Sequence, residues 1–164
     1  MKFYVSYFYA VRFMQSNCVP LSTAISDPKW FHANLGPSYT FLDKNGVRNG
    51  LRAEPFVPKR HEETEGYCGH CDKDNTKCLF MKYYREQLRS LDTSNIMSRF
   101  ESIAARVCPP DLEPHLILLV HEAPDNPCSE RWALLDWFAE NGIVAQEYPI
   151  PKRDKKKKEQ VFLF

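Results

Sequence analysis

Apolar and polar positions along this chain fall into blocks of different period. The first block, Phe3-Tyr4-Val5-Ser6-Tyr7-Phe8, is aromatic and β-branched and predicts a strand. A short helical stretch to Met14 follows it. Residues 18–25 predict a second strand, with Pro20 suited to a strand start rather than a strand centre. Residues 32–66 keep no steady period and carry scattered Gly and Pro, the pattern of a long functional or mobile segment. Residues 79–91 predict a helix. Residues 93–107 predict a longer one, because Ile96, Met97, Phe100, Ile103, Ala104 and Val107 recur at helical spacing. Asp92 is placed to cap that helix, and Cys108-Pro109-Pro110 to end it.

The last third is the clearest unit. Residues 116–120, Leu-Ile-Leu-Leu-Val, form the unbroken apolar run of a strand buried on both faces. A loop over 121–127 leads to a helix over 129–141 with Trp132, Leu135 and Phe138 on one stripe. Gly142 stands where a helix C′ residue belongs, and residues 143–148 predict the next strand. Strand, helix and strand with short joints make a βαβ unit with a right-handed crossover. The expected fold is α/β: a three-layer-like domain over residues 1–150 with a mainly parallel sheet. A cysteine-rich knuckle is inserted at 66–79, and a basic linker and docking tail extends over 151–164.

The bulk numbers fit that picture and remove some classes. A chain of 164 residues suits one domain that buries its own core. Hydrophobic residues are 43% and charged residues 26%, the ordinary globular range. A formal net charge of +1 means that any attraction to nucleic acid must come from a local patch. The longest aliphatic run is too short to span a bilayer, and no secretory leader is recognisable. The expected location is the cytoplasm, of a bacterial host cell if the chain is phage-encoded. In that reducing compartment the six cysteines read as metal ligands or reactive thiols rather than disulfides.

Three cysteines lie close together. Cys68 and Cys71 are separated by two residues and Cys78 follows after six more, with Gly66 and Gly69 allowing tight turns. A Cys-x-x-Cys loop chelates because its N–H groups support two thiolates aimed at one point. The expected cofactor is zinc or an iron–sulfur cluster. Cys108 is the first choice of fourth ligand because a Cys-Pro step often ends an iron–sulfur run; His70 is the alternative that suits zinc, and Cys18 is a third choice.

A second constellation follows the buried strand. His121 and Glu122 come directly after it, and Cys128-Ser129-Glu130-Arg131 open the next helix. Open α/β sheets bind ligands outside the carboxyl ends of their strands, and a helix start offers free N–H groups to an anion. In that setting Cys128 is a candidate nucleophile, Arg131 a clamp for phosphate or carboxylate, and His121 or Glu122 a proton carrier. The plainer alternative makes Ser129 and Glu130 favourable first-turn residues and Glu122 with Arg131 a structural ion pair.

Tyr4-Val5-Ser6-Tyr7-Phe8, Pro28-Lys29-Trp30-Phe31, Leu118-Leu119-Val120-His121-Glu122-Ala123-Pro124 and Cys128-Ser129-Glu130-Arg131 together resemble domain-of-unknown-function family 488, in a branch common in bacteriophage genomes. The family's strand-end motif, Cys-x-Glu followed by Cys-His-Arg, meets Val120 or His121 in place of its first cysteine and Ser129-Glu130 in place of its histidine. The resemblance implies an α/β fold and a site near Glu122, Cys128 and Arg131, and it supplies no activity.

The tail carries a basic run, Lys155, Lys156, Lys157 and Lys158, and ends Gln160-Val161-Phe162-Leu163-Phe164. That pentapeptide resembles the one by which bacterial replication and repair proteins dock on the DNA sliding clamp. Gln160, Leu163 and Phe164 match it, and the lysines would lie near DNA phosphates. The rival is a terminal strand added to the domain's own sheet. The leading functional expectation is a phage-type DNA-associated enzyme or repair and modification accessory recruited to the clamp. Its rivals are a non-catalytic adaptor or host-takeover protein that binds the clamp or a host factor, the latter through residues 32–66, and a small nucleotide-processing enzyme.

Overall fold

The computed structural model describes residues 1–29, 31, 52–59 and 78–151. Cys68, His70 and Cys71, the lysine run 155–158, and Gln160, Leu163 and Phe164 lie outside the described residues, as does most of the stretch 32–66.

Among the described residues four strands make one parallel sheet: β1 (Lys2–Tyr7), β2 (Cys18–Ser22), β3 (His115–Val120) and β4 (Ala145–Glu147), in the spatial order β2-β3-β1-β4. β1 pairs with β3 in the register Phe3 to Leu116 through Tyr7 to Val120. β2 pairs with the other side of β3, and β4 with the other side of β1. The chain is α/β, as its pattern predicts. Leu116 to Val120 are all buried, which a strand with neighbours on both edges and cover on both faces requires. Pro20 sits within β2 rather than at its start. It is tolerated because β2 is an edge strand.

Among the described residues three helices cover one face: α1 (Leu79–Arg89), α2 (Thr93–Val107) and α3 (Arg131–Glu140). Side chains alternate across a strand, so Phe3 and Val5 point to this layer. Phe3 meets Phe100 of α2 and Phe138 of α3 at ring-centroid distances of 6.4 and 5.5 Å. Tyr4 and Ser6 point the other way and are also buried. Tyr148 lies edge-on against Tyr4 there, and a 3-10 helix, Phe8–Phe13, carries the chain from β1 towards β2.

Local signals account for most boundaries. Asp92 accepts a hydrogen bond from the Asn95 N–H at 3.2 Å and starts α2. Gly142 has φ of +71°, the left-handed C′ conformation that a residue with a Cβ resists. The stripe expected on α3 is displaced. Trp132 and Leu135 are only partly buried, whereas Arg131, Ala133, Leu134, Trp137 and Phe138 are buried, because α3 is covered by the sheet on one side and by α1 on another.

The described part of the irregular stretch is held by side chains rather than by periodicity. A single 3-10 turn, Glu54–Phe56, places Phe56 against Phe100 and Trp137, with centroids 5.8 and 5.0 Å away. From α1, the Tyr84 hydroxyl donates to the Phe56 carbonyl at 2.6 Å. The Gln87 amide donates to the Pro55 and Val57 carbonyls and accepts from the Lys59 N–H. Burial pushes the Tyr84 phenol well above the usual tyrosine range, so it stays a donor.

Phe56→Ala should therefore cost about 3–5 kcal/mol, the range for emptying a buried aromatic site. Chemical denaturation of the variant should show the midpoint fall with little change in slope.

Candidate active site at the carboxyl ends of the strands

Residues 121–130 connect the carboxyl end of β3 to α3. Asn126 organises this loop. Its side-chain oxygen accepts from the Cys128 N–H at 2.9 Å, and its carbonyl accepts from the Trp132 indole at 3.0 Å. Ser129 is buried and faces both ways: its hydroxyl donates to Glu122 at 3.2 Å and accepts the Arg131 N–H at 3.2 Å.

Arg131 is the centre of the arrangement. It is fully buried. Its Nε donates to Glu147 at 2.7 Å, and its Nη1 donates to the Glu122 carbonyl at 2.9 Å. The guanidinium carbon lies 5.8 Å from the centre of the Tyr7 ring. Arg131 Nη2 and Glu147 Oε1 are buried with no hydrogen-bond partner among the described residues. The cation therefore ties the end of β3 to β4 across β1. An open anion clamp, as the sequence suggests for Arg131, needs a guanidinium that faces solvent, and this one faces inward.

The acidic side of the site is Glu122 and Glu130. The Glu130 carboxyl is pushed up to about 8, first by burial, then by the neighbouring charge of Glu122 and a side-chain hydrogen bond to it. A carboxylic acid that keeps its proton at neutral pH is thereby placed against a second carboxyl group. Burial likewise raises Glu147, against the opposing pull of Arg131.

The other two candidates go elsewhere. The exposed ring of His121 turns to the loop after β2, with Nε2 2.7 Å from the Ser26 carbonyl, and it packs 5.0 Å from Phe8. Its place is beside Ser22, Asp27 and Arg52, which form their own cluster: Ser22 donates to Asp27, and Arg52 binds both Asp27 and the Ala24 carbonyl. Cys128 is disulfide-bonded, where the sequence suggests a free thiol, so its sulfur is no thiolate nucleophile in this state. Glu122, Ser129 and Arg131 thus converge, while His121 and the Cys128 sulfur do not join their network. Sequence reasoning leaves out Glu147 and Tyr7 and gives Glu130 only a first-turn role. The signal for Glu147 is a carboxylate in a short strand at a position that alternation turns towards the helices.

Among the described residues no cluster of three or more His, Cys, Asp or Glu is arranged to hold a metal ion. Cys108 is the residue expected to share an ion with Cys78. Its sulfur faces the carbonyls of Asn17, Pro109 and Leu112 where the strands begin, and burial raises its thiol. Cys18, the third choice, lies near it, with its sulfur 3.5 Å from the Tyr148 hydroxyl. No described helix is long and apolar enough to cross a membrane. No family model, curated protein or solved structure matches the chain.

Two outcomes follow. The folded chain holds a Glu130 proton that the unfolded chain releases near 4.5, so stability should fall as pH rises from about 4.5 to about 8 and then level off. Glu130→Gln removes that loss; its melting temperature should exceed the native chain's at pH 8.5 and match it near pH 4. Glu147→Gln should cost about 3 kcal/mol at pH 7, the low end for breaking a buried pair because Glu147 is partly exposed. Urea denaturation measures it.

Proposed function

We propose that this protein is an enzyme that uses Glu130 as a proton donor and Glu122 as its partner base. The observation that carries this reading is the pair itself, an acid poised near neutrality against a second carboxyl group at a strand end. A general acid works best when its pKa lies near the working pH, and an isolated surface glutamate is far from that. The setting supports it. Glu122 and Glu130 lie on the connection that leaves the carboxyl end of β3. Ligands of open parallel sheets bind outside the carboxyl ends of the strands.

In this reading Arg131 is a positioning residue. It fixes the Glu122 main chain and Glu147, and through its N–H it fixes Ser129, which in turn orients the Glu122 carboxylate. The substrate class we favour is a nucleotide or a nucleotide unit of DNA. The lysine run 155–158 and the clamp-like end Gln160, Leu163, Phe164 support that choice by sequence alone. The family resemblance at Glu122, Cys128 and Arg131 points to the same strand end. Protonation by Glu130 would assist departure of a leaving group, and Glu122 would take a proton from the attacking group.

The test incubates full-length protein with nucleosides, nucleotides and single- and double-stranded oligonucleotides and follows product by mass spectrometry. Turnover of at least one substrate is expected, falling by about 10²–10⁴-fold in Glu130→Gln with the fold retained. Equal turnover by Glu130→Gln, or none by the native chain, defeats the proposal. For the tail, a chain ending at Glu159 should lose micromolar binding to a bacterial sliding clamp in calorimetric titration. Equal binding by both chains would remove the pentapeptide as the docking element.

A further inference from the structure

A cleft of about 260 Å³ opens between the 3-10 turn Glu54–Phe56 and α2. It shares no lining residue with the Glu122 and Glu130 pair. Its floor is apolar. Phe56 and Phe100 are stacked with centroids 5.8 Å apart and both are buried, as is Ile96, and Ile103 lies half-buried beside them. Helical spacing puts Ile96, Phe100 and Ile103 on one stripe of α2, so the pattern that packs the helix also builds the floor.

The charged side chains of the lining are Arg52, Arg99, Arg106 and Glu54, which leaves a surplus of positive charge. Arg52 is already used: it donates to Glu54 at 2.9 Å, to Asp27 at 3.3 Å and to the Ala24 carbonyl at 2.9 Å. Arg99 and Arg106 differ. Both are exposed, and among the described residues neither makes an ion pair. From Arg99 to Arg106 is almost two turns, about 10 Å along the axis, so the two stand on one side of α2 with Ser102 and Ile103 between them. Arg106 lies in the last turn, where the helix dipole favours a cation; Arg99 lies mid-helix and has no such reason for its place. Two uncompensated cations thus border a bed of buried rings.

We propose that this cleft binds a small organic anion, one carboxylate or phosphate head on a short apolar body. Charge complementarity chooses the head, since guanidinium groups bind carboxylate and phosphate oxygens through paired N–H donors. The floor chooses the body, because an apolar chain or ring laid on it removes apolar surface from water. The volume lies just under the usual range for small-molecule pockets, about 300–1,000 Å³, which limits the body to a short chain or a single ring. The polar side chains of the lining are the arginine heads, Glu54 and Ser102. A nucleobase would find few groups there to pair with its edge, so recognition rests on charge and apolar area. The site stands apart from the acid–base reading of Glu122 and Glu130 and does not depend on it.

The experiment titrates the full chain by calorimetry with octanoate, octyl phosphate, octanol and inorganic phosphate. Octanoate or octyl phosphate should bind with a Kd below about 1 mM, and at least about tenfold tighter than octanol or inorganic phosphate. The tighter of the two anions identifies the head group. Arg99→Gln combined with Arg106→Gln should weaken that anion by about tenfold or more. Ser102→Phe, which keeps both cations and narrows the cleft, should weaken it as well. Lys82→Gln removes an exposed cation that does not line the cleft and should change nothing. All four substituted positions are exposed, so melting temperatures should match the native chain; if one variant fails to fold, the other decides. Octanol or inorganic phosphate binding as tightly as the anions, unchanged affinity in the double arginine variant or in Ser102→Phe, an equal loss in Lys82→Gln, or no binding by the native chain would each overturn the assignment. Nucleotide turnover plays no part in these readings, so the two proposals fail separately.

Discussion

From Leu116 to Val120, β3 has no polar side. Leu116 to Val120 are buried on both faces and both edges are paired, so none of these five residues can meet water or a substrate. Everything polar that the strand organises must therefore sit at its ends, where the ladder stops and backbone groups need new partners. The carboxyl end meets that demand with Thr23, whose hydroxyl donates to the Leu119 carbonyl at 2.8 Å, and with Arg131, which takes the Glu122 carbonyl. The cluster of acids grows out of this arrangement. Glu122 is the second residue past the strand, and the return of the chain into α3 brings Ser129, Glu130 and Arg131 back over it.

Arg131 explains how that cluster is held together. Full burial of a guanidinium is costly unless its charge is matched and its donors are used. Glu147 supplies the charge and the Glu122 carbonyl supplies an acceptor, while Nη2 and Glu147 Oε1 have no partner among the described residues. A buried ion pair is seldom the most stabilising filling for such a space. It does hold three strand ends, β3, β1 and β4, in one fixed relation, since the cation reaches from the end of β3 to β4 and lies against Tyr7 of β1.

Much of the fold was legible because it rests on local signals. The unbroken apolar run gave β3, the spacing from Ile96 to Val107 gave α2, Asp92 gave its start, and Gly142 ended α3. What escaped was set by tertiary contacts. The buried stripe of α3 was misplaced onto Trp132 and Leu135, because a helix covered on two sides has no single apolar face to read. The turn at Phe56 has no period at all; it exists because Tyr84 and Gln87 hold its carbonyls. For the site, the convergence of Glu122 and Arg131 follows from chain order around a strand–loop–helix joint, which sequence can supply. The raised pKa of Glu130 depends on burial, and the place of Cys108 beside Asn17 depends on which way α2 runs. Neither is visible in residue spacing.

The two edges of the sheet differ from its centre in a way that bears on how the chain behaves in a crowded solution. β4 is only three residues long. β2 carries Pro20, which removes a backbone donor, and its last residue, Ser22, is already bridged to Arg52 in parallel fashion. An extended strand of another molecule that tried to add to either side would find few free groups in register, and at β2 it would meet a guanidinium fixed by Asp27 and Glu54. The apolar strands that build the interior are thus kept from acting as templates for intermolecular sheet growth.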